Sequence, residues 1–231
     1  MKVKIEELLK AGVHFGHQTK RWHPKMKPFI FAAKNNIHII DLEKSQEMLK
    51  QACDFVEKIS AEGKNILFLG TKKQAKEIVT KAAKKAEVPY ITERWLGGTF
   101  TNFVSIKNLI KRLRRLKKEK ETGELKKYTK KEQLDFSKEI EKLTRLVGGI
   151  EELNDLPDAI FVVGAREENI ALLEAAKKKI PIVALVDTNI DPKLIDYIIP
   201  ANDDAVKSIE LITNVIAEAV IEGKKKVKDK K

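Results

Sequence analysis

Short apolar runs rich in Ile, Val and Leu, separated by amphipathic helical patterns, limit the fold of this chain more than any other feature. The runs are NILFLG (65–70), VPYIT (88–92), DAIFVVG (158–164), IPIVALVD (180–187) and IDYIIPA (195–201). Apolar residues at helical spacing fill several of the intervals, for example 43–62 and 203–222. Nearly continuous apolar strands that alternate with helices are typical of a parallel sheet covered on both faces. The pattern therefore predicts a doubly wound α/β domain.

One interval of this alternation, between VPYIT and DAIFVVG, exceeds sixty residues and needs structure of its own. Apolar residues recur there every three or four positions in two groups: Ile106, Leu109, Leu113 and Leu116, then Phe136, Ile140, Leu143 and Val147. Both groups fit the seam of a coiled coil, and a polar stretch with a Thr-Gly turn signal separates them. We therefore expect an antiparallel coiled-coil helical hairpin, residues 105–147, inserted into a globular domain formed by 1–104 and 148–223. Because the hairpin has its own seam, it should project from the body, and the body should stay folded without it.

The formal net charge of +12 is distributed unevenly along the chain. Residues 1–40 hold eight Lys and Arg against two acidic residues, 105–145 hold fifteen against seven, and 224–231 hold six against one. By contrast, residues 146–223 hold six basic and fifteen acidic residues. A polyanion suits such basic extensions on an acidic body, because each neutralised phosphate releases counterions. Solvated Lys-rich faces are the alternative, and they fit a disordered basic tail (224–231) better than the basic N-terminal arm (1–40) or the hairpin.

The N-terminal stretch AGVHFGHQTKRWHPKMKPFIF (11–31) combines aromatic rings with cations. Phe15 and Trp22 can stack on unpaired bases while Lys20, Arg21 and Lys25 contact phosphates, which is how proteins recognise folded RNA. Alternatively, Phe15 and Trp22 anchor this segment to the α/β body. Both interpretations stay open for these two rings.

A few polar residues could hold a metal ion. His17 follows His14 by three positions, and Asp187 and the Asp203-Asp204 pair follow runs whose carboxyl ends converge in a parallel sheet. Zinc accepts imidazole and carboxylate ligands, and magnesium accepts carboxylates. No cofactor is required, but a zinc or magnesium ion joining His17, Asp187 and Asp204 is a candidate. Hydrogen bonds to the backbone are the alternative role for these side chains.

Two glycine-containing turns, GTKKQA (70–75) and RWLGGTFTNF (94–103), could bring backbone amides close to a phosphate. They keep a nucleotide-binding α/β enzyme open as an alternative function. However, the sequence lacks the glycine-rich dinucleotide turn, the P-loop, the nucleophile elbow and the HExxH zinc motif. His38 lies inside the apolar NIHIID and fits a packed strand residue better than a catalytic base. We therefore expect neither catalysis nor a small-molecule substrate.

The sequence also limits the cellular compartment. Its longest apolar runs, such as IPIVALV, are too short to span a bilayer, and the N-terminus lacks the features of a signal peptide. Cys53 is the single cysteine, which excludes an intramolecular disulfide. We expect a cytoplasmic protein without membrane contact.

Several long phrases resemble the bacterial small-subunit ribosomal protein two family. They are AGVHFGHQTKRWHPKMKPFIF, ILFLGTKKQA, RWLGGTFTNF, LPDAIFVV, IPIVALVDTNIDP and IIPANDDAVKSI, and they extend from residue 11 to residue 209. The resemblance implies a flavodoxin-like parallel sheet with an inserted coiled-coil hairpin. It also implies a ribosome-bound protein that contacts small-subunit rRNA and neighbouring small-subunit proteins, and that helps dock the large mRNA-binding ribosomal protein one.

Carried over position by position, the resemblance places rRNA contacts in the N-terminal region, in the RWLGGTFTNF turn and on the hairpin. The residues are Lys20, Arg21, Trp22, Lys25, Lys27, Arg94, Thr99, Asn102, Lys107, Lys111, Arg112, Arg114, Arg115, Lys117, Lys118, Lys126, Lys127, Lys130 and Lys131. We expect a structural constituent of the small ribosomal subunit that supports translation. A free RNA chaperone or regulator that acts away from ribosomes is a further alternative.

Overall fold

The computed structural model describes residues 3–228, with the backbone alone at Lys228. The helices are α1 (Ile5–Lys10), α2 (Leu42–Ala61), α3 (Lys76–Ala86), α4 (Phe103–Glu121), α5 (Lys130–Val147), α6 (Asn169–Lys178) and α7 (Val206–Lys228). The strands are β1 (Phe15–Gln18), β2 (Ile30–Lys34), β3 (Ile37–Ile40), β4 (Ile66–Leu69), β5 (Tyr90–Ile91), β6 (Ala159–Val163), β7 (Ile182–Val186) and β8 (Tyr197–Pro200). Within residues 3–228, no helix combines the length and the apolar character needed to cross a bilayer.

Strands β4 to β8 form a parallel sheet with the order β5-β4-β6-β7-β8. Because successive strand residues point to opposite faces, Ile66 and Phe68 pack with α2, α3 and α7, whereas Leu67 and Leu69 join a second cluster with α4 and α6. The predicted doubly wound parallel sheet is thus confirmed. When these five strands are numbered 1 to 5 from β4 to β8, their order across the sheet is 2-1-3-4-5, which is the order found in flavodoxin.

Residues 15–40 contain a second, antiparallel sheet with the order β1-β3-β2. Asn35 and Asn36 form the two-residue turn between β2 and β3, and both have left-handed backbones (φ 50° and 60°). Hairpin turns of this kind require positive φ, which Asn tolerates. The His23 N–H donates to the Thr188 carbonyl at 2.8 Å and thereby ties the sheet to the body. The predicted basic N-terminal arm thus contains a small folded sheet, and the sequence signal for this sheet is the Asn-Asn turn between two apolar runs.

Helices α4 and α5 lie where the hairpin is predicted, and Gly123 in the turn between them has a left-handed backbone (φ 78°). The buried residues Ile106, Ile110 and Leu113 of α4 belong to a cluster that also contains Leu67 of the sheet and Leu143 of α5. The expectation that 105–147 is an insertion that projects from the body stays a prediction. Apolar spacing of three and four fits a coiled-coil seam and a helix packed on a sheet equally well. Coiled-coil packing of α4 against α5 stays a prediction.

Helix α7 continues to Lys228, so the prediction of a disordered tail is wrong for residues 224–228, and residues 229–231 lie outside the described range. Gly223 suggests a helix end in the sequence, but it lies inside the helix. A Cβ at this position would be 2.4 Å from the carbonyl oxygen of Glu57 in α2. Glycine therefore allows α7 and α2 to pack closely. The next residue, Lys224, contacts α3 instead, since its Nζ donates to the Ala86 carbonyl at 2.9 Å.

Candidate nucleic-acid interface and cation cluster

The crevice at the carboxyl ends of β4 and β6 is the place where α/β sheets with this strand order bind ligands. Here the side chain of Lys72 fills it. The Lys72 ammonium lies 2.7 Å from an Asp203 carboxylate oxygen and 2.9 Å from an Asp204 carboxylate oxygen. Burial lowers the pKa of Lys72, but the neighbouring carboxylates outweigh it and the net pKa is raised. An internal ion pair therefore occupies the position where a nucleotide phosphate would bind.

The predicted metal candidates meet at the same edge of the sheet. His17 Nδ1 lies 2.9 Å from Asp187 Oδ2, and His17 Nε2 lies 3.6 Å from Asp204 Oδ2. Together with Asp203, these side chains place their ligand atoms within 4.8 Å of one another. The hydrogen bond to Asp187 raises the pKa of His17 against the smaller, opposite effect of burial. The sequence indicates all four of these side chains as possible ligands, and the structure brings them together.

The GTKKQA turn binds a carboxylate of the chain itself. The Thr71 N–H donates to Glu168 Oε1 at 2.9 Å, and Glu168 is buried. Burial raises the pKa of Glu168, although the hydrogen bonds from Thr71 oppose this shift. The amide expected to approach a phosphate is therefore already paired.

The RWLGGTFTNF turn is organised in the same way around Glu174 of α6. Its carboxylate accepts hydrogen bonds from the backbone N–H groups of Gly98, Phe100 and Thr101 at 2.7, 2.9 and 3.0 Å. Burial raises the pKa of Glu174, but these hydrogen bonds outweigh it and the net pKa is lowered. Both turns predicted to receive an anion thus receive a carboxylate from within the chain, which argues against a nucleotide site.

The three predicted RNA contacts in this turn differ in their exposure. Thr99 is 3% exposed, and its hydroxyl donates to the Leu96 carbonyl, so its side chain does not reach the surface. Arg94 and Asn102, from the same turn, are exposed. Their RNA contacts stay predictions.

The cations of the N-terminal sheet are on the surface. Lys20, Arg21 and Lys27 are exposed and form no ion pair within residues 3–228. Lys25 differs, because its ammonium lies 2.7 Å from Asp191. Three of these four cations are therefore available to an anionic partner without breaking an internal pair.

Phe15 and Trp22, for which the sequence allows either RNA stacking or anchoring to the body, are both partly exposed. Phe15 is 48% exposed and Trp22 is 37% exposed, with the Trp22 ring 5.2 Å from the His38 ring. Burial of Met26 and backbone hydrogen bonds, rather than these rings, fix the segment to the body. The exposed faces leave both rings able to stack on a base.

The eleven predicted hairpin cations fall into three groups. Five contact oxygen atoms of the chain itself, four of them in ion pairs: Lys107 with Asp155, Arg112 with Glu139, Arg115 with Glu119, Lys117 with Glu151, and Arg114 with the Glu151 carbonyl. Lys127 lies over the Tyr128 ring. The others make no ion pair within the described chain and are exposed: Lys111, Lys118, Lys126, Lys130 and Lys131.

Sequence reasoning missed the residues that occupy the two turns and the crevice. Glu168 and Glu174 lie in an ordinary-looking helical stretch, and no local motif distinguishes them. The sequence places Lys72 in the GTKKQA turn, but this turn predicts a phosphate, and not a carboxylate of the chain, as the partner of Lys72. Only the fold brings Asp203 to it from 131 positions away.

Comparison with known proteins identifies the family of this chain. A family model described as ribosomal protein S2 matches residues 8–223. The chain belongs to the ribosomal protein S2 family. A relative named small ribosomal subunit protein uS2, from Chloroherpeton thalassium, is 52% identical over 227 residues, which cover 98% of this chain and 91% of the relative. The predicted family is thus confirmed. Because this is a family of structural ribosomal proteins, the expectation that the chain is not an enzyme is confirmed as well.

Proposed function

We propose that the chain is a structural constituent of the small ribosomal subunit that binds small-subunit rRNA through the hairpin and the N-terminal sheet. Family membership supports a role in the ribosome, and the exposed cations support RNA as the partner. The hairpin would present these cations along a coiled coil of α4 and α5. The protein would act in the cytoplasm, bound to the ribosome, and would need no catalysis.

The division of the hairpin cations is the observation that carries RNA binding. The paired cations all lie on α4. Of the unpaired cations, Lys111 also lies in the middle of α4, whereas Lys118, Lys126, Lys130 and Lys131 lie close in sequence to the turn between the helices and have no acidic partner within residues 3–228. Like charges so close in sequence repel one another, and a polyanion removes this repulsion. Phosphates are expected to contact the turn first.

This division can be tested with two sets of substitutions that remove equal charge. In the first set, Lys118, Lys126, Lys130 and Lys131 are replaced by Ala. The affinity of the full chain for small-subunit rRNA is then measured at several salt concentrations. Each lost phosphate contact lowers the slope of log affinity against log salt by roughly 0.7–0.9, so the slope should fall by roughly three.

The matched control replaces Lys107, Arg112, Arg115 and Lys117, which are paired with carboxylates. Its slope should change by less than half as much, because these cations already have counter-charges. Equal slopes for the two sets would show that binding follows net charge alone. An unchanged slope in the first set would reject the hairpin as the RNA-binding element.

A free RNA chaperone is the competing function, and it differs in where the protein is found. If the protein works within the subunit, sedimentation of a cell lysate should place nearly all of it with ribosomal particles. A large pool at the top of the gradient would favour the chaperone.

The N-terminal sheet also offers a place for the docking of protein one. β2 is an edge strand, and its Phe31 is 77% exposed, more than any other large apolar side chain described. Exposed aromatic rings act as anchors in protein interfaces and contribute ~2 kcal/mol or more when buried by a partner. We expect Phe31→Ala to weaken binding of purified protein one at least tenfold. Phe15→Ala, on the same sheet, is the control, and an equal loss in both variants would contradict this assignment.

We further propose that His17, Asp187, Asp203 and Asp204 hold a zinc or magnesium ion. One imidazole and three carboxylates form a suitable ligand set for zinc, and the imidazole makes magnesium the weaker candidate. The Lys72 ammonium now shares these carboxylates and would compete with the ion. Calorimetric titration of the full chain with each metal tests this proposal. Saturable zinc binding that Asp187→Asn abolishes would support it, and equal heats for the two proteins would reject it.

A further inference from the structure

A cleft of about 530 Å³ is lined by Arg21, Trp22, Arg166 and Asn189, and it lies beside His17 of the candidate metal site. Its walls come from three segments that follow β1, β6 and β7 at the carboxyl edge of the parallel sheet. Its volume is within the range of small-molecule sites. Arg166 and Asn189 were not among the residues predicted to contact RNA.

The cleft is positive because the carboxylates around it are already engaged. Asp191 pairs with Lys25 at 2.7 Å, and Asp187 with His17 at 2.9 Å. Arg21 and Arg166, by contrast, are exposed and form no ion pair within residues 3–228. Two guanidinium groups therefore face the cleft without a counter-charge.

The walls of the cleft are held in place by the fold. The His23 N–H donates to the Thr188 carbonyl at 2.8 Å, which fixes the loop that carries Arg21 and Trp22. Asn189 lies 2.8 Å from His17 Nε2 through its side-chain nitrogen. A ligand would thus meet a largely formed site and would lose little free energy in ordering it.

We propose that this cleft binds one unpaired nucleotide of RNA, with its base stacked on Trp22 and its phosphate between Arg21 and Arg166. The proposal rests on the RNA-binding function proposed above and adds a second contact of a different kind. A flat indole beside two guanidinium groups matches a base joined to a phosphate. An acidic peptide would use the two cations but would leave the indole face without a partner.

A short single-stranded RNA tests the cleft separately from the hairpin. The probe is a fluorescein-labelled pentauridylate, and anisotropy reports its binding to the full chain. Trp22→Ala should weaken binding roughly 5- to 150-fold, because stacking of a base contributes ~1–3 kcal/mol. Trp22→Phe should restore most of the affinity. Arg166→Ala should lower the salt slope by roughly 0.7, as expected for one contact with a single strand.

Lys178→Ala is the matched control, because Lys178 is exposed at the far end of the helix that follows Arg166. It removes the same charge and should leave binding unchanged. Trp95, which is 7% exposed, reports the fold of each variant through its emission. Unchanged affinity in Trp22→Ala would overturn the proposal. So would hexaglutamate that displaces the probe as well as unlabelled pentauridylate does, and that outcome would indicate an acidic protein partner.

Failure of this proposal and failure of the RNA-binding function would look different. The hairpin variant that lacks Lys118, Lys126, Lys130 and Lys131 should bind pentauridylate like the unmodified chain. If it does, and only Trp22 and Arg166 affect the pentamer, the cleft is a separate site. If the pentamer does not bind while the hairpin set still flattens the salt slope with rRNA, the cleft proposal alone is rejected.

Discussion

Glu174 should be one of the most sensitive positions for stability. It is 8% exposed, and its carboxylate accepts hydrogen bonds from three backbone N–H groups and from the Thr101 hydroxyl at 3.1 Å. Glu174→Ala leaves the buried Phe100 N–H without a partner, which costs ~1–3 kcal/mol. Water can replace the carboxylate at the part-buried Gly98 and Thr101, so each of these adds ~1 kcal/mol. The variant should therefore lose about 3–5 kcal/mol of unfolding free energy.

Thermal unfolding followed by tryptophan emission is a suitable assay, because Trp95, one of the two tryptophans, lies in the turn that Glu174 holds. For a chain of this size, ~1 kcal/mol corresponds to about 2–4 °C, so the midpoint should fall by about 6–20 °C. Glu174→Gln keeps one acceptor oxygen and should lose roughly half as much free energy. Glu152→Ala removes an exposed carboxylate and is the control.

The pH dependence provides a second check. The folded-state pKa of Glu174 lies below its ordinary value of 4.5, so the ionised carboxylate stabilises the fold. This contribution is complete above pH 4.5 and is lost as the pH falls through the folded-state pKa. The stability difference between the unmodified chain and Glu174→Gln should therefore be largest near neutral pH and shrink below pH 4.5. A Glu174→Ala variant within ~0.5 kcal/mol of the unmodified chain, or a difference that does not change with pH, would refute this reasoning.

Three further predictions concern packing. Lys72→Met should lower the unfolding free energy by ~3 kcal/mol, measured by urea denaturation, because it leaves the buried Asp203 without its cation. Gly223→Ala should cost ~1–3 kcal/mol in the same assay, since its Cβ would meet α2 backbone, whereas a Cβ at the control position Gly97 meets no heavy atom within 4 Å. Leu113→Ala should cost ~2–5 kcal/mol in the unfolding of the whole domain, whereas Leu134→Ala, at a position 55% exposed, should change it by less than ~0.5 kcal/mol. A Leu113 variant that melts the hairpin and leaves the Trp95 transition unchanged would show that α4 is independent of the body.

Local periodicity was enough to predict the sheet and most of its helices. A strand buried on both faces must be apolar at nearly every position, as in AIFVV of β6 and IVALV of β7, and a helix that covers it needs an apolar stripe. The same periodicity could not place α4. Its stripe shows only that one face is buried, and Leu113 belongs to a cluster that contains both Leu67 of the sheet and Leu143 of α5.

In the candidate site, too, some features follow from the sequence alone and others depend on the tertiary structure. The sequence by itself determined the family, the parallel sheet and the surplus of cations on the hairpin, because these follow from residue types and from spacing within one element. Tertiary structure alone decided which of those cations and amides stay available to RNA. A Gly-rich turn binds a phosphate only when no carboxylate of the chain reaches it first. Glu174 reaches the Gly98 amide from 76 positions away and Asp203 reaches Lys72 from 131, and no local pattern records such distances.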